Sequence, residues 1–282
     1  MENIWHQEVR KPFQTKETAS LTFVKGNDGN IWIISSKDGD LQTIQSNQDV
    51  VQTVKWMKAG QPQEVRLLLS AGSNGTIKLW RMIETTGFRL VQSVTVTEHQ
   101  IEDIDVFGTK LVVVGTGGIF FYEVHPYAKV VFEPINRVLE TVTGNRIQTD
   151  LGKIRGVRFF NQGNSVVVGM LQRVIIGWDL PTGKRMFRER IETRIGNMEW
   201  CEEARKLAVW NLDDGVDVYD IQDTLIATPI KIPLNVKRLF PIQVRFLTEE
   251  MLVIGSDNGT VVIASILSRS VIKKLRHEDM RE

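Results

Sequence analysis

Ser70 to Trp80, SAGSNGTIKLW, is the stretch whose reading decides the fold. The apolar run from Val65 to Leu69 ends in small residues and passes through Asn74-Gly75. It re-emerges as the alternating Thr76-Ile77-Lys78-Leu79-Trp80. An Asn-Gly pair between two such runs marks a β-hairpin, because both turn residues must accept positive φ.

The pattern recurs. Taking the residue near the end of each post-turn run as a landmark gives Ile34 (NIWIIS), Trp80 (TIKLWR), Tyr122 (GIFFYE), Trp178 (VIIGWD), Tyr219 (VDVYD) and Ala264 (TVVIAS), spaced 46, 42, 56, 41 and 45 residues apart. Turns precede most landmarks: Asn27-Asp28-Gly29, Asn74-Gly75, Gly117-Gly118, Asp213-Asp214-Gly215 and Asp257-Asn258-Gly259. The fourth repeat, Met170-Leu171-Gln172-Arg173, lacks such a turn sequence. Further upstream lies a column of the form apolar-x-x-apolar-x-large. It reads Val51-x-x-Val54-x-Trp56, Ile101-x-x-Ile104-x-Val106, Ile154-x-x-Val157-x-Phe159, Ile195-x-x-Met198-x-Trp200 and Pro241-x-x-Val244-x-Phe246. Another alternating run follows each landmark, and no stretch sustains a 3.6-residue period. Four short strands in a repeat of roughly 40–45 residues describe a propeller blade.

The expectation is therefore an all-β β-propeller of four-stranded antiparallel blades, occupying 1–282 as a single domain. Six blades are legible, in a six- or seven-bladed ring whose closure stays open. Ile4 to Phe13 is read either as part of the first blade or as an outer strand closing the ring. A long inter-blade connection, EPINRVLETVTGNRIQTDLG, falls at about 133–152. Ile77, Leu79, Val174, Ile176, Val216, Val218, Val261 and Ile263 are expected in buried strands.

These residues resemble the WD-repeat (WD40) family. Trp178-Asp179 keeps the family's dipeptide, Tyr219-Asp220 is a near match, and Trp80-Arg81, Tyr122-Glu123, Ile34-Ser35 and Ala264-Ser265 are degenerate. The family's Gly-His pair is absent, with Glu98-His99 and Arg276-His277 as its nearest relics. The resemblance implies a His–Asp–Ser/Thr–Trp hydrogen-bond network. Without the histidines, most blades are expected to rely on apolar packing instead.

Bulk chemistry excludes several classes. Net charge is +1, from 35 basic and 34 acidic side chains, so no global field favours nucleic acid or an anionic membrane. Cys201 is the one cysteine, which rules out an internal disulfide and favours a reducing compartment, cytoplasmic or nuclear. The N-terminus lacks a signal-peptide apolar region, and no apolar run approaches spanning length, so no membrane insertion is expected.

No G-x-S-x-G, phosphate-binding loop or H-E-x-x-H motif is present. His6, His99, His125 and His277 fall in different repeats without ligand spacing, and no metal or cofactor is expected. Glu202 and Glu203 beside Cys201 would raise its pKa, which argues against a nucleophile. A six-bladed, sialidase-like glycosidase would need a tyrosine nucleophile. Tyr122 and Tyr219 sit in the structural column, which leaves only Tyr127.

The constellation that remains is basic. Segments leading into the first strand of repeats four to six carry Lys153 and Arg155, then Arg194, then Lys237, Arg238 and Phe240. In a propeller such segments emerge on one face, so these six residues are the candidate partner-binding set. The equivalent third-repeat segment carries Glu98, Glu102, Asp103 and Asp105, an acidic stretch that would help orient a partner. The function expected is a non-catalytic, monomeric scaffold that docks a protein or peptide with an acidic surface. The alternative is a propeller hydrolase or small-ligand binder using the central channel, recognisable by two carboxylates about 5–10 Å apart.

Overall fold

The structure is a computed structural model that describes residues 5–7, 21–25, 28–35, 41–58, 66–83, 87–136, 139, 152–221, 228–234, 242–256 and 260–276. Described residues form strands and turns, with no helix among them. Six four-stranded antiparallel sheets follow one another, each assembled in chain order. The first holds β1 (Trp5–Gln7), β2 (Leu21–Lys25), β3 (Asn30–Ser35) and β4 (Leu41–Gln45). The second holds β5 (Val51–Lys58), β6 (Arg66–Gly72), β7 (Thr76–Ile83) and β8 (Gly87–Thr95). The third holds β9 (Ile101–Phe107), β10 (Lys110–Gly115), β11 (Gly118–Val124) and β12 (Phe132–Ile135). The fourth holds β13 (Ile154–Phe160), β14 (Ser165–Met170), β15 (Val174–Asp179) and β16 (Arg185–Arg190). The fifth holds β17 (Asn197–Cys201), β18 (Lys206–Trp210), β19 (Gly215–Asp220) and β20 (Ile230–Pro233). The sixth holds β21 (Val244–Thr248), β22 (Met251–Ile254), β23 (Thr260–Ser265) and β24 (Ser270–Arg276). This is the β-propeller fold, and these sheets are its blades.

The Asn74-Gly75 hairpin shows how the sequence folds a blade. Gly75 takes φ +73°, and a Cβ there would run into the Thr97 carbonyl oxygen, so only glycine fits. The turn brings Leu69 opposite Leu79 and Leu68 opposite Trp80. In the fourth blade Leu171–Arg173 turns without a glycine, and Arg173 itself adopts φ +67°. The missing turn sequence thus did not remove the turn.

The chain divides into two compact halves, Met1–Asn136 and Arg137–Glu282. In the first half, Ile31 and Ile33 of blade one pack with Val54, Leu68 and Trp80 of blade two. The opposite face of blade two, Leu69, Ile77 and Leu79, packs on Ile104, Leu111, Val113 and Tyr122 of blade three. The second half repeats the scheme. Val167, Ile175 and Phe187 of blade four meet Met198, Leu207, Val209 and Tyr219 of blade five. Val216 and Val218 then meet Val244, Leu252, Val262 and Ala264 of blade six. Blades two and five bury both faces, because alternate side chains meet a neighbour on each side, which explains why an isolated blade would not hold together. The first strands run side by side, with β5 against β9, β13 against β17 and β17 against β21.

Two expectations need correction or refinement. In β23 the residues facing the core are Val262 and Ala264, whereas Val261 and Ile263 are only half-buried. The reason is phase: the β23 face turned to blade five is the one carrying Val262, Ala264 and, just beyond the strand, Ile266. The other six expected strand residues are buried. At the N-terminus, Trp5–Gln7 pairs with β2 inside the first blade, so it supplies that blade's own first strand. The long connection at about 133–152 begins within β12, and nearly all of the remainder lies outside the described residues.

Candidate functional site

Of the six residues singled out by sequence, Lys153, Arg155 and Arg194 are described; Lys237, Arg238 and Phe240 lie outside the described residues. Lys153 is exposed just before β13, where its backbone carbonyl accepts the Leu171 N–H at 2.8 Å. Its backbone N–H donates to Gln172 Oε1 at 3.1 Å. Arg155, two residues on, is half-buried in β13. Arg194 sits in the segment leading into β17 and reaches the turn between β18 and β19. There it lies 3.4 Å from Asp213 Oδ1 and donates to the Leu212 carbonyl. Lys153 and Arg194 belong to segments that enter the first strand of a blade, at the same end as the turns before β15 and β19, whereas Arg155 already lies within β13 and not in the connection where the sequence placed it.

The acidic stretch of the third repeat divides. Glu98 is exposed, but Asp103 is buried and its Oδ1 accepts the Ile104 N–H at 2.9 Å. Asp105 is engaged by Lys55 Nζ at 3.1 Å, with both side chains largely withdrawn from water. Asp103 and Asp105 therefore leave the solvent-facing stretch, because alternation along β9 turns them into the blade stack.

Lys55 and Asp105 belong to a set that the sequence reading overlooked. The fifth place of the apolar-x-x-apolar-x-large column holds Lys55, Asp105, Arg158, Glu199 and Arg245, alternating in sign. In the second half, Glu199 Oε2 accepts from Arg158 Nε at 2.9 Å and from Arg245 Nη1 at 2.5 Å. Arg158 is almost wholly buried; its Nη1 also donates to the Val157 carbonyl, and Arg245 Nη1 to that of Val244. Neighbouring first strands are thus clamped by charge at the same level in each half. The alternation of sign at one column position was the available signal.

Two blades build hydrogen-bond networks without the family's histidine. In blade two, Trp80 Nε1 donates to Ser70 Oγ at 2.9 Å, and Ser70 Oγ donates to Gln48 Oε1. Gln48 Nε2 donates onward to the Thr76 carbonyl at 2.8 Å, beside Asn74. Gln48 lies in the segment entering β5 and is fully buried. An amide supplies the donor and the acceptor that such a relay needs, so no histidine is required. His99, by contrast, is exposed. Blade five builds its own version: Asp217, buried in β19, accepts from Thr193 Oγ1 at 2.7 Å and Asn211 Nδ2 at 3.2 Å. Burial pushes its carboxyl above the usual range despite those two donors. Burial, and then the Asp217 carboxylate, push the Tyr219 hydroxyl up.

The remaining reactive groups are engaged in the fold. Cys201 is buried, and burial, more than the Glu203 carboxylate 3.6 Å from its Sγ, pushes the thiol up. Glu202 is committed elsewhere, accepting from Trp200 Nε1 at 2.6 Å and from the Gln162 backbone at 3.0 Å. Tyr122 and Tyr219 are core residues, while Tyr127 is exposed beneath the Arg81 guanidinium, 4.9 Å from its ring centre. His125 bonds to Glu133 at 3.0 Å. Among the described residues no group of three or more His, Cys, Asp or Glu side chains could hold a metal, and no helix is long and apolar enough to cross a membrane.

The fold defines the class: an all-β protein of propeller blades. No protein-family model matches the sequence, and no curated protein matches it.

Proposed function

We propose that this protein is a non-catalytic, intracellular interaction scaffold of the WD-repeat type. It docks a protein or peptide with an acidic surface at the blade end carrying Lys153, Arg155 and Arg194, with Lys237, Arg238 and Phe240 as the further members of that set. The observation that carries this reading is how the first strands use their charge. Glycoside hydrolysis requires one carboxyl acting as an acid and a second about 5–10 Å away. Glu199 instead has a guanidinium on each side, and Asp105 has an ammonium. These groups join blade to blade, which supports a rigid framework whose exposed segments are left to make contacts. Among the described residues, Lys153 stands exposed in such a segment and Arg194 half-buried in another.

The test is capture of partners from native lysate by the parent and by the Lys153→Glu, Arg194→Glu variant. Loss of the same partners from the variant, with unchanged folding, supports docking at this end. Retention of every partner would refute it. Hydrolysis of model glycosides by the parent would favour the catalytic alternative.

A further inference from the structure

We propose that the outer edge of β16 is a docking strip for an extended, acidic protein segment, held by Arg188 and Arg190 and, at the strand's end, by Arg173. The strip adjoins the blade-end set, since Arg173 stands in the turn that Lys153 contacts, but it is carried by β16 and the inference stands without that reading.

The strip begins with topology. Among the described residues β16 pairs only with β15, so it is the outermost strand of its blade. Arg188 stands opposite Ile176 and Arg190 opposite Val174, two residues apart on one face of the strand. Their Cα atoms are consequently about 6.6 Å apart, the repeat of an extended chain. The Ile191 N–H donates to the Arg173 carbonyl at 2.9 Å, and this places Arg173 beside Arg190. All three arginines are exposed.

Among the described residues, nearby carboxylates do not neutralise them. Glu189 lies between the two strand arginines, but alternation turns it to the opposite face, where it is half-buried. Glu192 is held by Lys231 at 2.6 Å, and Asp213 lies against Arg194. Three other outer strands are built differently: β4 and β12 carry no cation, and β8 carries only Arg89. The described lysine of β20 is Lys231, which is paired. β24 repeats the two-residue spacing with Lys274 and Arg276, opposite Val262 and Thr260, and β16 differs from it in the third cation, Arg173, at its end.

Charge complementarity selects the occupant. A strand added to this edge would place alternate side chains directly opposite Arg188 and Arg190, where opposite charges attract and like charges repel. Carboxylates at every second position meet that demand, and a guanidinium engages each through two parallel hydrogen bonds. Main-chain bonds to the edge would set the register. Charge placed merely to prevent edge-to-edge aggregation would need no such spacing.

The test uses fluorescence anisotropy of the full chain with a labelled alternating Thr-Glu peptide of roughly ten residues, compared with its block isomer of identical composition. The alternating peptide should bind at least about tenfold more tightly than the block isomer, since only it matches the register. Arg188→Gln with Arg190→Gln should weaken it by at least about tenfold, with the thermal midpoint unchanged. Arg173→Gly provides a second variant: its φ of +67° suits glycine, so binding should weaken without loss of folding. Equal binding of the two isomers would overturn the proposal in favour of diffuse attraction. No binding by the alternating peptide even at low salt would reduce the arginines to edge protection. Displacement of the alternating peptide by vesicles of anionic lipid, with loss in the same variants, would assign the strip to a membrane surface instead.

Discussion

At the scale of single residues, the structure separates aromatic side chains that look alike in the repeat pattern. Trp178 is buried in the packing of blade four, so Trp178→Ala should cost ~3–5 kcal/mol as a large-to-small core change. Chemical denaturation would read that loss; a variant as stable as the parent would contradict the packing. Trp80 adds a polar role, because its indole N–H opens the relay through Ser70 and Gln48. Trp80→Phe removes the donor while keeping a ring, and should cost about 1–3 kcal/mol from the lost bond and the reduced volume. In a double-mutant cycle, Trp80→Phe and Gln48→Leu should prove non-additive, since they remove parts of one network. Asp217 carries a pH signature. Its native carboxyl is raised by burial, so as pH climbs past the unfolded value the unfolded chain releases its proton first. Stability contributed by this group is whole below that value and is lost as pH rises towards the native one. Asp217→Asn should flatten the part of the stability profile that falls as pH rises above the ordinary aspartate value, as read in urea titrations. Parallel profiles for the two proteins would show that Asp217 contributes nothing to it.

At the scale of elements, the first strands are joined by charge as well as by apolar packing. Glu199 lies between Arg158 and Arg245 on the strands to either side. Removing the shared carboxylate leaves two low-exposure guanidiniums facing one another, so Glu199→Ala should cost roughly 3 kcal/mol, near the lower end for breaking a buried pair. Arg245→Ala should cost less, because Glu199 keeps Arg158. Equilibrium unfolding of the two variants checks the ranking, and equal losses would mean that the carboxylate is not shared as the geometry implies. The strand pattern was largely legible in the sequence: four of the six landmark strands, β3, β15, β19 and β23, end as expected, β7 and β11 run on to Ile83 and Val124, and the described turns at Asn74-Gly75, Gly117-Gly118 and Asp213–Gly215 are where their glycines and Asn or Asp residues put them. The phase of β23 was not, because Val261, Val262 and Ile263 are all apolar and a continuous apolar run carries no period-two signal. Only the neighbouring blade, packed on Val262 and Ala264, selects the face.

At the scale of the molecule, near-zero net charge leaves local patches to govern encounters. If partners dock at the end bearing Lys153 and Arg194, their association should slow with added salt, because exposed charges are screened beyond ~8 Å at physiological ionic strength. Lys153→Glu with Arg194→Glu should act mainly on the association rate, and hardly on stability, since exposed substitutions stay within ~0.5 kcal/mol. Arg194 will respond less than Lys153 if Asp213, 3.4 Å away, already compensates its charge. Stopped-flow or surface-binding kinetics at two salt concentrations would measure both effects. A salt-independent rate would remove electrostatic steering from the account.

Sequence by itself determined the repeat, the four-strand blade and most of the core, because hairpin turns and alternating apolar positions are local properties of the chain. It also contained the alternation Lys55, Asp105, Arg158, Glu199 and Arg245, but no local rule says that residues about fifty positions apart will meet. Tertiary structure decided that. Laying first strands side by side turns a column of charges into inter-blade pairs, withdraws Asp103 and Asp105 from an apparently acidic surface, and lets the amide of Gln48 carry a relay in a blade that has no histidine for it. It also left Arg173, Arg188 and Arg190 together on an outer edge, because strand alternation turns Glu189 away and the carboxylates of Glu192 and Asp213 face other cations. Each outcome depends on which groups burial brings within a few ångströms of one another, a relation that chain order alone does not encode.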